Sequence, residues 1–185
     1  MKVICFGDSN TWGYDPRDFF GGPYDTIWPE LLKKKTGWTI VNWGENGREI
    51  PAGTIRLPED TDLLIVMLGT NDLLQGREPE EASRQMDNFL QCLPIAKSRI
   101  LLIAPPHMRR GTWVTDSRLT KLSAEMTEYF KNLALRQGVF FADSDIWNIP
   151  IAYDGVHFTE EGHRAFAEGL IQFLTKELGI CCKTE

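Results

Sequence analysis

The chain of 185 residues contains no apolar run approaching the roughly 18 residues that a bilayer-spanning helix needs, and its longest, LLIVMLG at 63–69, is the size of a β-strand. A membrane partner is therefore not expected. Positive charge is also in deficit: 20 Lys and Arg stand against 26 Asp and Glu, a formal net charge of −6, whereas a nucleic-acid partner calls for a basic face. Cysteine is sparse. Cys5, Cys92, Cys181 and Cys182 show neither C-x-x-C nor zinc-like spacing, and a chain this long can be held by its core without disulfides. They read as inert thiols, with Cys181–Cys182 a bystander or redox-active pair near the carboxyl terminus. Repeats, linkers and low-complexity tracts are missing, as is a leader-like amino-terminal pattern, so one domain over 1–185 and a cytoplasmic location are the expectations. Only three histidines are available, His107, His157 and His163, which narrows any imidazole chemistry to a short list.

What the chain does have is an alternation of short apolar runs with amphipathic segments. Strands are expected at 2–7, 38–43, 63–69, 99–105 and 139–143, and helices at 28–36, 80–95, 115–137 and 159–178. Near-continuous apolar strands alternating with helices predict an α/β fold, a three-layer α/β/α sandwich around a five-stranded parallel sheet. LLIVMLG lacks polar alternation and should be the central strand, buried on both sides. In the last helix Phe166, Leu170, Phe173, Leu174 and Leu178 recur at three- and four-residue steps and form one apolar face.

Ligand sites of open parallel sheets lie beyond the carboxyl ends of the strands, so the strand ends are the places to look for chemistry. They read GDSN at 7–10, WGENGR at 43–48, GTND at 69–72, PPHMRR at 105–110 and YDGVHFT at 153–159. Ser9 suits both a turn and a nucleophile, because Ser, Asp, Asn and Gly are ordinary turn formers. A serine hydroxyl is a weak nucleophile and needs a histidine to take its proton, with a carboxylate to orient that histidine. Asp154 and His157, three residues apart, can meet on one side of a turn, or they can be a cap residue and a surface histidine. His163 opens the last helix and is expected to pack or face solvent; His107, at another strand end, is a pocket candidate. Attack on an ester carbonyl develops a negative oxygen, which Asn71 and the backbone N–H groups of Ser9 and of a glycine in GENG could stabilise. Asp8 and Asp72 read as loop-orienting acceptors rather than as a cation cluster, and no metal is expected.

Taken in order, these blocks resemble the SGNH hydrolase superfamily, the GDSL-type lipases and esterases. Gly7-Asp8-Ser9 is similar to the family's first block, Gly69-Thr70-Asn71-Asp72 to its G-x-N-D block and Asp154-Gly155-Val156-His157 to its D-x-x-H block. NWGENGREI resembles the glycine block of small bacterial arylesterase-like members. The resemblance implies a flavodoxin-like sheet and a catalytic triad of Ser9, Asp154 and His157. It further implies an oxyanion hole of Ser9, Gly47 and Asn71, with Gly44 as the alternative to Gly47. Asp8, Asn10, Trp12, His107 and Val156 are the expected substrate contacts. The implied activity is hydrolysis of small, short-chain esters without a cofactor, by a protein that could also be a homo-oligomer. The competing reading is a flavodoxin-like module that binds a flavin phosphate at the DSNT loop. A receiver domain fits less well, since ADSDIW offers no lysine after the fifth strand. The aromatic residues Trp12, Tyr14, Phe19, Phe20, Tyr24, Trp28, Trp113 and Trp147 could face a sugar or aryl group, or form a packed lid or an oligomer contact.

Overall fold

The computed structural model describes residues 1–179, so the Cys181–Cys182 pair lies outside the described residues. Strands β1 (Lys2–Gly7), β2 (Thr39–Gly44), β3 (Leu63–Met67), β4 (Ile100–Ala104) and β5 (Phe140–Asp143) pair in parallel in the order β2-β1-β3-β4-β5. The expected α/β architecture is thus present, and β3, every residue of which is buried, is its central strand. Successive strand residues face opposite sides. Ile4, Phe6, Leu64, Val66, Ile100 and Leu102 pack with Met86, Phe89, Met126 and Phe130 of α4 (Pro79–Cys92) and α5 (Ser117–Gln137). Val3, Cys5, Ile65, Met67, Leu101 and Ile103 pack with Trp28, Leu32, Phe166, Leu170 and Leu174 of α2 (Trp28–Thr36) and α6 (Glu160–Leu178). Each large apolar side chain removed from water in this way stabilises the fold by about 1.5–3 kcal/mol.

Helix limits follow local chemistry. Asp116 accepts from Arg118 N–H to cap α5, Thr159 accepts from Gly162 N–H to cap α6, and glycines in the left-handed region end α2, α5 and α6. Two short helices break from the expected pattern: α1 (Ser9–Trp12) follows β1 after the single residue Asp8, and α3 (Thr70–Leu74) follows β3 after Leu68 and Gly69. The strand expected to run to residue 69 therefore stops at Met67, because Gly69, at φ 117°, turns the chain into α3. No described helix is long and apolar enough to cross a membrane.

Register positions the functional end of the sheet. Gly7, the last residue of β1, pairs with Gly44 on one side and Met67 on the other, so three strands end level. The chain winds from β1 outward to β2 and then back across to β3, which makes the β1–β3 boundary the point where the winding reverses and a cleft opens.

Candidate active site

Ser9 is the first residue of α1, two residues past Gly7. Its Oγ lies 3.0 Å from His157 Nε2, and His157 Nδ1 lies 2.6 Å from Asp154 Oδ2. All three are buried, at 6%, 3% and 1% exposure. Asp154 Oδ1 also accepts the N–H groups of Val156 and His157, both at 2.9 Å. Burial works against the charged carboxylate, but the hydrogen bonds from the His157 ring and from these two N–H groups outweigh it and hold Asp154 below the usual carboxylate range. A charged carboxylate at Nδ1 keeps the proton on that nitrogen, so Nε2 presents its lone pair to Ser9.

The 151–158 segment that carries this pair is fixed from several directions. Its ends form an antiparallel bridge, Ile151 with Phe158, and Ala152 N–H donates to His157 O at 2.7 Å. Phe158 buries itself against Phe166 and His163, so that His157, one residue earlier, turns toward the cleft. The loop after β4 lies along the segment through Arg109 N–H to Gly155 O and Trp113 N–H to Asp154 O, at 2.9 and 3.0 Å. That approach requires glycine on both sides. A Cβ on Gly155, which sits at φ 86°, would stand 2.1 Å from Arg109 O, and one on Gly111 2.3 Å from Asp154 C.

The other expected site residues fall into distinct groups. Asn71, in α3, donates one amide N–H to Arg48 O at 3.0 Å, which fixes its side chain and leaves its second N–H available. Gly47, at φ 75°, is exposed in the turn after β2. Gly44 N–H is already engaged by Asn42 Oδ1 at 2.8 Å, and a Cβ there would meet Trp12 N at 2.1 Å, so this glycine serves close packing of β2 on α1. The Asp8 carboxylate accepts from Asn10 N–H at 3.0 Å as the cap of α1. Asn10 donates through Nδ2 to Val156 O and accepts from Phe158 N–H through Oδ1, at 3.2 and 2.9 Å. Asp8, Asn10 and Val156 are almost fully buried and bond within the protein, Asp8 capping α1 while Asn10 and Val156 hold the opening loop to the closing one. His107 is likewise committed, Nδ1 to Asp145 Oδ2 at 3.1 Å and Nε2 to Thr127 Oγ1 at 3.3 Å. Trp12 is half-buried beside Gly44. The flavin-phosphate reading of the DSNT loop does not fit this arrangement, since the Asp8 carboxylate occupies the Asn10 N–H that an anion would need.

Further side chains complete the scaffold, and Asp72 is the loop-orienting acceptor that the sequence suggests. The Arg48 guanidinium bonds Gly7 O and Trp43 O and lies over the Phe6 ring at 4.3 Å, closing the ends of β1 and β2. Asp72, fully buried, accepts from Ile50 N–H and from Arg77 and so anchors the turn that carries Gly47. Tyr14 and Trp113 rest against the His157 ring at centroid distances of 4.5 and 5.0 Å. The final-helix histidine, His163, packs rather than faces solvent: its Nδ1 accepts from Trp28 N–H at 3.4 Å and its Nε2 is buried without a partner.

Burial gives two of these groups opposite pH behaviour. It lowers His163 to about 3, so above pH 6.5 its contribution to stability is complete, and this is lost as the pH falls toward 3. It raises Asp8 to about 6 from 3.8, so the folded state holds a proton that the unfolded chain has released, and stability declines as the pH rises from about 4 to 6. Each effect has a slope of at most about 1.4 kcal/mol per pH unit, and between pH 4 and 6 the two oppose one another. Asp8→Asn, which keeps the oxygen that accepts from Asn10, is therefore expected to expose the His163 effect. Its urea midpoint should drop, relative to wild type, between pH 6 and 4, and parallel profiles would refute the account.

Comparisons with known proteins place the chain in a family. The model of the GDSL-like lipase/acylhydrolase family matches residues 5–165. An arylesterase of Vibrio mimicus is 24% identical over 96% of this chain and 90% of its own length. Among solved structures, a carbohydrate acetylesterase family member from Sinorhizobium meliloti superposes with TM-score 0.78 at 23% identity, covering 97% of this chain and 99% of its own. The aryl esterase of M. smegmatis gives TM-score 0.74 at 21% identity over 94% and 97%. With the family model spanning most of the sheet and all the strand-end blocks, the chain belongs to the GDSL-like lipase/acylhydrolase family within the SGNH hydrolases, and is a carboxylic ester hydrolase.

Proposed function

We propose that the protein is a serine esterase that cleaves short-chain carboxylic esters through an acyl-enzyme. The observation that carries this reading is the continuous relay from Ser9 Oγ to His157 Nε2, 3.0 Å, and from His157 Nδ1 to Asp154 Oδ2, 2.6 Å. Ser9 Oγ attacks the ester carbonyl as its proton passes to Nε2. The tetrahedral intermediate collapses, the bond from carbon to the alcohol oxygen breaks, and that oxygen takes the proton back from Nε2. Water then enters, gives a proton to the same nitrogen and attacks the acyl-serine, and the acid leaves as Ser9 regains its proton.

The oxyanion is held by the N–H groups of Ser9 and Gly47 and by the Asn71 amide. Their loops follow β1, β2 and β3, whose ends are level and adjacent. Gly44 is set aside because Asn42 already accepts from its N–H. Asn71→Ala is expected to lower kcat by about 10²–10³, with KM for a nitrophenyl ester little altered. An unchanged kcat would exclude the amide as a donor.

Short acyl groups are favoured because the turns at the nucleophile are minimal. Asp8 alone links β1 to α1, and only Leu68 and Gly69 link β3 to α3, leaving little chain there to wall a lipid tunnel. Acetyl esters are also the substrates that the name of the Sinorhizobium neighbour suggests. The direct test is labelling with a serine-reactive phosphonate, followed by peptide mass mapping. Stoichiometric modification of Ser9, with loss of acetyl-ester hydrolysis, is expected. Labelling elsewhere with equal loss would overturn the assignment.

A further inference from the structure

We propose that Trp113 forms the wall of the subsite for the alcohol half of the ester, and that this subsite selects alcohols with a flat ring face. The inference rests on the triad reading above. The leaving oxygen must come within hydrogen-bonding reach of His157 Nε2 to be protonated, so whatever borders that ring borders the alcohol. Two aromatic side chains do so. Tyr14 lies 4.5 Å from the His157 ring centroid, tilted by 45°, and Trp113 lies 5.0 Å away and nearly perpendicular, at 82°.

Trp113 remains 52% exposed while His157, which it touches, is 3% exposed. Its indole is therefore in contact with the His157 ring and half open to solvent. The ring is not presented on a loose loop. Trp113 N–H donates to Asp154 O at 3.0 Å, Thr112 N–H to Tyr153 O at 3.1 Å and Gly111 N–H to Val114 O at 3.0 Å, so it rides on the segment that carries Asp154 and His157. Tyr14 is held similarly, through its N–H to Ser9 O at 3.0 Å. A large aromatic surface that is both fixed and half solvated recovers buried area and stacking contacts only when a ring is laid against it. Such pairs add about 0.5–1.5 kcal/mol beyond area burial. Phenols and sugar rings share the required flat face, and simple alkyl alcohols lack it.

The experiment compares three acetyl esters that differ only in the alcohol: phenyl acetate, 6-O-acetylglucose and ethyl acetate. All three pass through the same acetyl-enzyme, so their kcat/KM values report acylation and the common deacylation step drops out. In Trp113→Ala, kcat/KM for a ring-bearing ester should fall about tenfold more than for ethyl acetate, and Trp113→Phe should restore most of the difference. A larger fall for phenyl acetate would identify an aryl alcohol, and a larger fall for the acetylglucose a sugar. Equal losses on all three esters, or none, would overturn the proposal, the first result leaving Trp113 as a support for His157 alone. Melting temperatures of both variants control for folding. Ser9→Ala run on the same panel separates the two readings: if it turns the esters over at the wild-type rate the triad itself fails, whatever Trp113 does.

Discussion

Ser9→Ala is expected to lower kcat/KM for a short-chain acetyl ester by about 10⁴–10⁶ while leaving the fold intact. The fold should survive because Ser9 is the first residue of α1, where alanine is a good helix former, and because its Oγ bonds the His157 ring at Nε2. Asp8 would still cap the helix and Asn10 would still tie it to Val156 and Phe158. The chemistry should not survive. Without Oγ no acyl-enzyme can form, and the remaining rate reflects oxyanion stabilisation and any water that His157 activates at the vacated position. Pre-steady-state release of nitrophenol distinguishes the outcomes: the wild type should show a burst of one equivalent where deacylation is the slower step, and the variant none. Turnover within tenfold of wild type would remove Ser9 from the mechanism and make His157 the base for direct attack by water.

The parts legible in the sequence are those set by local pattern. Unbroken apolar runs such as LLIVM mark strands covered on both faces, and β3 is indeed central. The α6 face of Phe166, Leu170 and Leu174 follows from helical spacing. Helices α1 and α3 escaped because four or five residues are too few for a periodic signal, and SNTW and TNDLL read equally as turns. Spatial questions were settled by contacts between distant segments. Asn10 is adjacent to Ser9 in sequence, yet both ends of its amide are spent on residues 156 and 158, which no spacing rule indicates. His107, a candidate by its strand-end position, is drawn to Asp145 because β4 and β5 are neighbours in the sheet. Gly44 and Gly47 look alike in GENG, and only the acceptor at Asn42 and the backbone of Trp12 tell them apart. Nothing in sequence sets Tyr14 and Trp113 apart from the other aromatics, and it is the loop bonds to Ser9 and Asp154 that bring both onto one imidazole.

Asp154→Asn is expected to lower kcat by about 10⁴, through the tautomer of His157 rather than through lost packing. The two carboxylate oxygens do different jobs. Oδ1 accepts two backbone N–H groups, and Oδ2 faces His157 Nδ1. In asparagine the oxygen should take the position facing the two N–H donors, because the amide nitrogen there would set three donors against one another. The NH₂ group is then directed at Nδ1 and can be satisfied only if Nδ1 is an acceptor. The ring proton must move to Nε2, where it meets Ser9 Oγ and can no longer receive the nucleophile's proton. The two backbone bonds at Asp154 persist in this variant, so its melting temperature at neutral pH should move far less than its activity. The carboxylate is held below its usual range in the folded protein, so its contribution to stability is present above pH 4 and fades on acidification. The variant should therefore lose less stability than wild type below that pH. Nitrogen chemical shifts of the His157 ring provide the direct readout: a protonated Nδ1 in wild type and a protonated Nε2 in Asp154→Asn. Near-normal turnover with the proton relocated to Nε2 would show that His157 does not act as the base, and the relay would then be a structural feature only.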